Sequence, residues 1–255
     1  MENKLEPVYR RIISSVKEIE TPVFAVFDFD NTCIVNDIGE AALVYLAVDN
    51  LFRDKNLLKG KYKNYSKAVF DHYYKLLDDG KVKEAYELSV KILSGFAVDE
   101  INSLVGEVIK FESENISTAE VWGRKIAKGI KPKEQVIELV DFLKNNGVEV
   151  WIVSSSSEIL VRSAMKHFNI KADIIGIRNT VIKGKLTSKL EKPLPIIEGK
   201  VDCIKKFINS DKRPLIGAGD GINDLPMLEY CEIKVVVGLN NTLAKMAEQN
   251  RWFLI

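Results

Sequence analysis

The chain has 255 residues, 46% of them hydrophobic, enough to bury one good core and a smaller accessory one. Its 37 Lys and Arg balance 36 Asp and Glu, which leaves no global field to draw in nucleic acid or a membrane surface. No apolar stretch is long enough to cross a bilayer, the amino terminus is polar and acidic rather than signal-like, and three scattered cysteines (Cys33, Cys203, Cys231) make no disulfide framework, so a reducing cytoplasm is the expected location.

In chain order, helical spacing at Val8, Ile12, Val16 and Ile19 predicts an amino-terminal helix packed across the core. After Pro22, the run Val23 to Phe27 reads as a buried strand that ends in Asp28, Asp30 and Thr32. Residues two apart on a strand face the same way, so Asp28 and Asp30 arrive together at its carboxyl edge, where open α/β sheets bind ligands. An ordinary Asp/Asn turn is the bland alternative. From Asp37 to Ile130 β-rich segments give way to helical patterns, with turns near Asp78-Asp79-Gly80 and Ser94-Gly95. Alternation of β and α resumes after Lys131-Pro132. A helix through Val136, Leu139, Val140 and Leu143 stops at Asn146-Gly147, and the Val148 to Val153 strand then stops in Ser154-Ser155-Ser156-Ser157. Next come a helix from Glu158 to His167, a strand from Ile174 to Ile177 and a hairpin turning at Gly184. A helix opened by Lys200 has Val201, Ile204, Phe207 and Ile208 as its apolar side. The Leu215 strand, the Leu225 helix, the Lys234 to Val237 strand and a helix from about Thr242 to Gln249 complete the pattern. Such alternation implies an α/β fold with a doubly wound parallel sheet. Residues 1–36 and 131–255 are expected to form the core, and 37–130 an inserted helical cap.

The strand ends carry the chemistry. Gly219-Asp220-Gly221-Ile222-Asn223-Asp224 repeats the grammar of the first strand, with glycines that permit unusual backbone angles and carboxylates at Asp220 and Asp224. Asn223 or Asp224 is expected to cap the following helix, which explains one carboxylate but not two. Four Asp residues at two strand ends suit a hard cation such as Mg²⁺. Ser154, with the amides of a helix start, suits a phosphate, while Ser156 or Ser157 is expected to cap that helix. Lys200 opposes the macrodipole at a helix start, which favours a charge-neutralising job over the commoner solvated lysine.

These features, in this order, resemble the four motifs of the haloacid dehalogenase superfamily: Asp28-Phe29-Asp30-Asn31-Thr32, Ser154, Lys200 and Gly219 to Asp224. The continuation Leu225-Pro226-Met227-Leu228 is similar to phosphoserine phosphatases. Val150 to Ser156 and Gly199 to Ile204 resemble phosphorylcholine phosphatase-like members. The resemblance implies a Rossmann-like core and Mg²⁺-dependent hydrolysis of a small-molecule phosphomonoester through an aspartyl-phosphate. It makes Asp28 the nucleophile and Asp30 the acid and base. Mg²⁺ would be held by Asp28, the Asp30 carbonyl, Asp220 and Asp224. The expected substrate-binding set is Thr32, Asp37, Ser154, Ser155, Lys200 and Asn223, with no nucleic acid or membrane partner. A phosphomutase shares every core residue, a receiver-like module would merely store the phosphoryl group, and a dehalogenase would need neither Asp30 nor the metal.

Substrate choice is expected from the insert. Asp37 falls where phosphoserine phosphatases carry an acidic residue facing the substrate amine, and it reads equally well as a helix cap. Ser155-Ser156 replaces that branch's Gly-Gly, and Ser89 falls where its substrate-binding arginine would stand. Six tyrosines (Tyr45, Tyr62, Tyr65, Tyr73, Tyr74, Tyr86) lie in the insert. Helix packing is the main expectation for them, and a cation platform for a quaternary ammonium the sharper one. His72 and His167 read as ordinary surface or packing residues.

Overall fold

The computed structural model describes residues 5–18, 23–239 and 241–255. Helix α1 (Glu6–Glu18) buries Val8 and Ile12 and stacks Tyr9 on Phe142, ring centres 4.0 Å apart. Ile19 and Pro22, which the sequence places at the end of this helix and before the first strand, lie outside the described residues. Strand β1 (Phe24–Phe27) is buried on both faces, and β2 (Ile34–Val35) follows the acidic turn. Then come α2 (Ile38–Val48), α3 (Tyr65–Asp78), α4 (Val82–Lys91) and α5 (Ile101–Glu112). A hairpin of β3 (Ser117–Val121) and β4 (Arg124–Lys128) precedes β5 (Lys131–Pro132), which pairs antiparallel with β2. The chain thus leaves and re-enters the core through one narrow neck.

The hairpin corrects the expectation of a purely helical insert. Its strands are polar and largely exposed, so they lack the apolar run by which a strand is read. The local signal is Trp122-Gly123, whose φ angles of 49° and 84° are those of a tight hairpin turn.

The second half runs α6 (Glu134–Asn145), β6 (Glu149–Ser157), α7 (Glu158–His167) and β7 (Asp173–Ile177), then the hairpin β8 (Asn179–Ile182) and β9 (Lys185–Leu190). It continues with α8 (Gly199–Phe207), β10 (Ile216–Gly219), α9 (Leu225–Tyr230), β11 (Ile233–Val236), α10 (Thr242–Asn250) and β12 (Phe253–Leu254). Six strands form one parallel sheet in the order β12-β11-β10-β1-β6-β7. Strands buried on both faces, such as β1 and β10, are what a parallel sheet covered by helices demands. Winding proceeds from β1 toward β7 on one side and from β10 toward β12 on the other. The carboxyl ends of β1, β6 and β10 therefore meet at a switch point, the place where such sheets bind ligands. Phe27 lies in register with both Ile152 and Ala218, which sets the three loops side by side.

One continuous apolar cluster joins Val8 and Phe27 to Val69, Phe70, Tyr73, Leu88 and Ile109 of the insert. Burial, rather than helix propensity, thus holds the insert helices against the edge where the motifs lie. Cys33, Cys203 and Cys231 are free and buried. No helix among the described residues is long and apolar enough to cross a membrane.

Candidate active site

Asp28, Asp220 and Asp224 each offer a carboxylate oxygen, all within 4.8 Å of one another. Lys200 is buried, and its Nζ donates to Asp28 Oδ1 and Asp224 Oδ1 at 2.6 Å each. This corrects the expected apolar side of α8. The helix turns Lys200, Cys203 and Ile204 inward and leaves Phe207 37% exposed, and the buried ammonium is tolerated because Asp28 and Asp224 pair with it. Asp224 occupies the cap position of α9 without capping it. Its Oδ2 turns back to accept from the Asp220 and Gly221 amides, both at 3.2 Å, so the expected cap gives way to an acidic loop folded on itself. Gly219 is required here, since a Cβ on it would lie 2.6 Å from Asp224 Cβ.

Thr32 is fully buried between two carboxylates, its Oγ1 3.2 Å from Asp28 Oδ2 and 3.1 Å from Asp220 Oδ1. It braces the cluster rather than lining the cavity, unlike the substrate contact expected of it. Asp30 takes the other direction. Its Oδ1 accepts from the Ile38 amide at 2.8 Å, and Ser154 Oγ lies 3.4 Å from its Oδ2. The two carboxylates of one strand end are thus sorted. Asp28 joins the lysine and the other acids, and Asp30 meets neutral donors.

The serine run departs from expectation. β6 continues through all four serines, with a register shift between Val153 and Ser157, instead of stopping at Ser154. Ser154 is fully buried behind the cavity and its Oγ accepts from the Ser156 amide at 3.0 Å. Ser155 and Ser156 line the cavity, although the Ser155 hydroxyl donates to the Pro195 carbonyl at 2.9 Å. Ser157 holds the cap position of α7 without a side-chain bond, because its hydroxyl points into a buried space with no partner.

The cavity, about 140 Å³, lies among these groups and is closed on the insert side by Asp37 and Tyr86. Asp37 caps α2, accepting from the Glu40 amide at 2.8 Å, and it also lines the cavity. Tyr86, from α4, accepts from Asn223 Nδ2 at 3.4 Å across the opening, so insert and acidic loop touch. Among the six tyrosines, Tyr86 is the one that lines the cavity. Tyr73 and Tyr74 are buried packing residues, Tyr45 packs edge-on against Phe111, and Tyr62 and Tyr65 meet each other. The arrangement is one aromatic ring beside a carboxylate, not a cage of aromatics. Ser89 is buried and spends its hydroxyl on the Tyr86 carbonyl. His72 and His167 are exposed, away from the site.

The electrostatics follow from burial and crowding. Burial, then Asp224, pushes Asp28 up to about 8, while Lys200 pulls the other way. Burial and Asp224 likewise push Asp220 up to about 6. Lys200 itself is raised: burial alone would lower it, but Asp224 and Asp28 outweigh that cost. Both members of the Lys200–Asp28 pair are thus biased toward the protonated form. Three carboxylates surround one ammonium, so full ionisation would leave two negative charges uncompensated, and that crowding holds Asp28 and Asp220 toward the protonated form when no cation is bound. An all-oxygen donor set with that excess fits a hard divalent ion. Asp30, outside the cluster, is raised well above the carboxylate range by burial first, then by Asp37 and Asp28.

Two residues near the site escape sequence reasoning. Lys133 Nζ donates to the Asn31 carbonyl from behind the first loop, and Asn241 Nδ2 donates to the Asp220 carbonyl at 2.6 Å. Asn241 has a readable signal as the cap before the Thr242 helix. Nothing local announces Lys133.

Comparison with known proteins agrees with this geometry. Over 244 aligned positions the chain is 26% identical to the phosphorylcholine phosphatase of Pseudomonas aeruginosa, covering 77% of this chain and 68% of that one. A conserved protein of unknown function from Anaerococcus prevotii DSM 20548 superposes with a TM-score of 0.73 at 21% identity, over 98% of this chain and 89% of its own. A substrate-bound phosphoserine phosphatase superposes at 0.56 and 18% identity, over 89% of this chain and 91% of its own. These superpositions speak to fold. The haloacid dehalogenase-like hydrolase family model matches residues 25–229, from inside the first strand through the acidic loop and α9, and the chain belongs to that family.

Proposed function

We propose that this haloacid dehalogenase-family phosphatase hydrolyses a small, amine-bearing phosphomonoester through an aspartyl-phosphate on Asp28. The observation that carries the reading is the sorting of Asp28 and Asp30 into two environments two residues apart, which gives two carboxylates two different jobs. An Asp28 oxygen attacks phosphorus as the ester P–O bond breaks, and Asp30 passes its proton to the departing oxygen. Asp30, now a carboxylate, takes a proton from water. The water oxygen attacks phosphorus, the bond to Asp28 breaks, and inorganic phosphate leaves. Lys200 and the Ser155-Ser156 segment hold phosphoryl oxygens during both steps. Mg²⁺ held by Asp28, Asp220 and Asp224 would offset phosphoryl charge, the chief need of phosphoryl transfer. Residues 37–130 act as the cap that excludes bulk water.

The cavity argues for the substrate class. Its volume of about 140 Å³ lies below the roughly 300–1,000 Å³ of ordinary small-molecule sites, so the leaving group is small. Beyond the phosphate machinery it presents Asp37, Tyr86 and Asn223. A cation finds a counter-charge in Asp37 and a ring face in Tyr86. A carboxylate on the leaving group finds no lining cation except Lys200, which the phosphoryl group claims in this reading, and burying it unpaired is costly. The name of the Pseudomonas relative points the same way. Phosphocholine or phosphoethanolamine is therefore expected to exceed phosphoserine in kcat/KM by about tenfold or more, roughly 1.4 kcal/mol of transition-state preference. A phosphate-release assay over the three substrates decides it. A tenfold lead for phosphoserine would sink the cap reading and leave the core chemistry intact.

A further inference from the structure

The acidic loop has little to stiffen it from within. Asp220 stands between Gly219 and Gly221, beyond the end of β10, so the backbone on both sides has wide conformational freedom. Its amide and that of Gly221 are both held by Asp224 Oδ2 at 3.2 Å, and its carboxylate is held by Thr32 at 3.1 Å. Both restraints come from within the acidic site, and both partners are themselves drawn on by Asp28 or Lys200.

The third restraint comes from elsewhere. Asn241 spends both ends of its side chain: Nδ2 donates to the Asp220 carbonyl at 2.6 Å, and Oδ1 accepts from the Ala244 amide at 2.8 Å, capping α10. α10 is itself fixed by Leu243, Ala244 and Ala247, packed against Leu228 and Val236. One amide thus ties the most freely hinged carboxylate to a helix seated in the core. Asn241 also lies beyond residues 25–229, the stretch the family model matches.

We infer that Asn241 is a positioning residue that sets the cation-holding geometry of Asp220 by fixing its peptide carbonyl. Losing the donor leaves the 220–221 peptide held only at its Gly221 end, by the 3.2 Å bond to Asp224, and lets the Asp220 carboxylate shift from its place beside Asp28 and Asp224. The inference rests on the proposed role of Asp220 in holding Mg²⁺. Partners that orient a metal ligand in this way are worth about 10- to 100-fold in metal affinity.

Asn241→Ser separates this role from helix capping. Serine caps as well as asparagine, but its single short hydroxyl cannot also span to the Asp220 carbonyl. Titration calorimetry of the full chain with Mg²⁺ alone is expected to show about a 10- to 100-fold weaker dissociation constant for Asn241→Ser. The metal-free melting temperature and hydrogen-exchange protection of the Ala244 amide should match wild type, while the half-saturating Mg²⁺ concentration for turnover rises. Should serine fray the helix, Asn241→Thr, a second capping residue without the amide donor, is measured in the same way. Wild-type Mg²⁺ affinity in a variant with an intact α10 overturns the inference. Asp220→Asn run alongside tells the two failures apart. If it too binds Mg²⁺ normally, the metal assignment is at fault, and if it alone loses Mg²⁺, the role of Asn241 is.

Discussion

Asp28→Asn is expected to fold normally and to lose turnover by on the order of 10⁴-fold or more, the scale on which removal of a covalent nucleophile acts. The substitution changes one oxygen for an amide in a strand end whose apolar body, Phe24 to Phe27, is untouched. Lys200 keeps Asp224 as a partner, and one of three mutually repelling carboxylates is gone, so the thermal midpoint should not fall. Activity and stability therefore separate, which a merely structural Asp28 would not allow. Acid-quenched wild-type protein with substrate should carry a phosphoryl group on Asp28, detectable by mass spectrometry of its peptide, and the variant none. Several per cent of wild-type activity in purified Asp28→Asn would end the nucleophile assignment.

The second large effect is expected from Asp30→Asn, and its form is more telling than its size. General acid and base catalysis contributes about 10²- to 10⁴-fold, and phosphocholine turnover should fall within that range because its alkoxide leaving group needs a proton. Nitrophenolate does not. With p-nitrophenyl phosphate the variant should release one equivalent of nitrophenol per enzyme in a burst and then stall. The first step no longer requires Asp30, while hydrolysis of the aspartyl-phosphate still does. Rapid-quench measurement of both products checks this. Equal losses on both substrates without a burst would show that Asp30 serves only to hold the Ile38 turn, with which its Oδ1 already bonds. Its placement beside neutral donors, away from the lysine, is the reason to expect otherwise.

Sequence reading succeeded where information is local. A run such as Phe24 to Phe27, apolar on both faces and ended by carboxylates, reads as a covered strand delivering acids to a sheet edge, and the Leu215 strand obeys the same rule. The parallel α/β order and the grouping of the acidic strand ends follow from such patterns, since strand period and helix period are properties of neighbouring residues, and the family was legible through the resemblance of four motifs in order. The polar hairpin from Ser117 to Lys128 was illegible for the converse reason, having no buried face to impose a period.

Tertiary structure decided where each side chain points. Lys200 is buried because Asp28, 172 positions earlier in the chain, and Asp224 meet it, which no helical wheel of α8 contains. Ser155 and Ser156, adjacent in the chain, both line the cavity where β6 runs on with a register shift, while Ser154 is buried against Asp30. Thr32 meets the Asp28 and Asp220 carboxylates, the latter across the sheet edge, and Asp224 gives up capping α9 for the Asp220 and Gly221 amides and for Lys200. Tyr86, and not Tyr73 or Tyr74, reaches the cavity because of how α4 packs against the core edge. The sequence by itself determined which groups gather at the switch point; only the fold decided which of them line the cavity, since a side chain's direction is set by the distant partners that desolvate, charge or brace it.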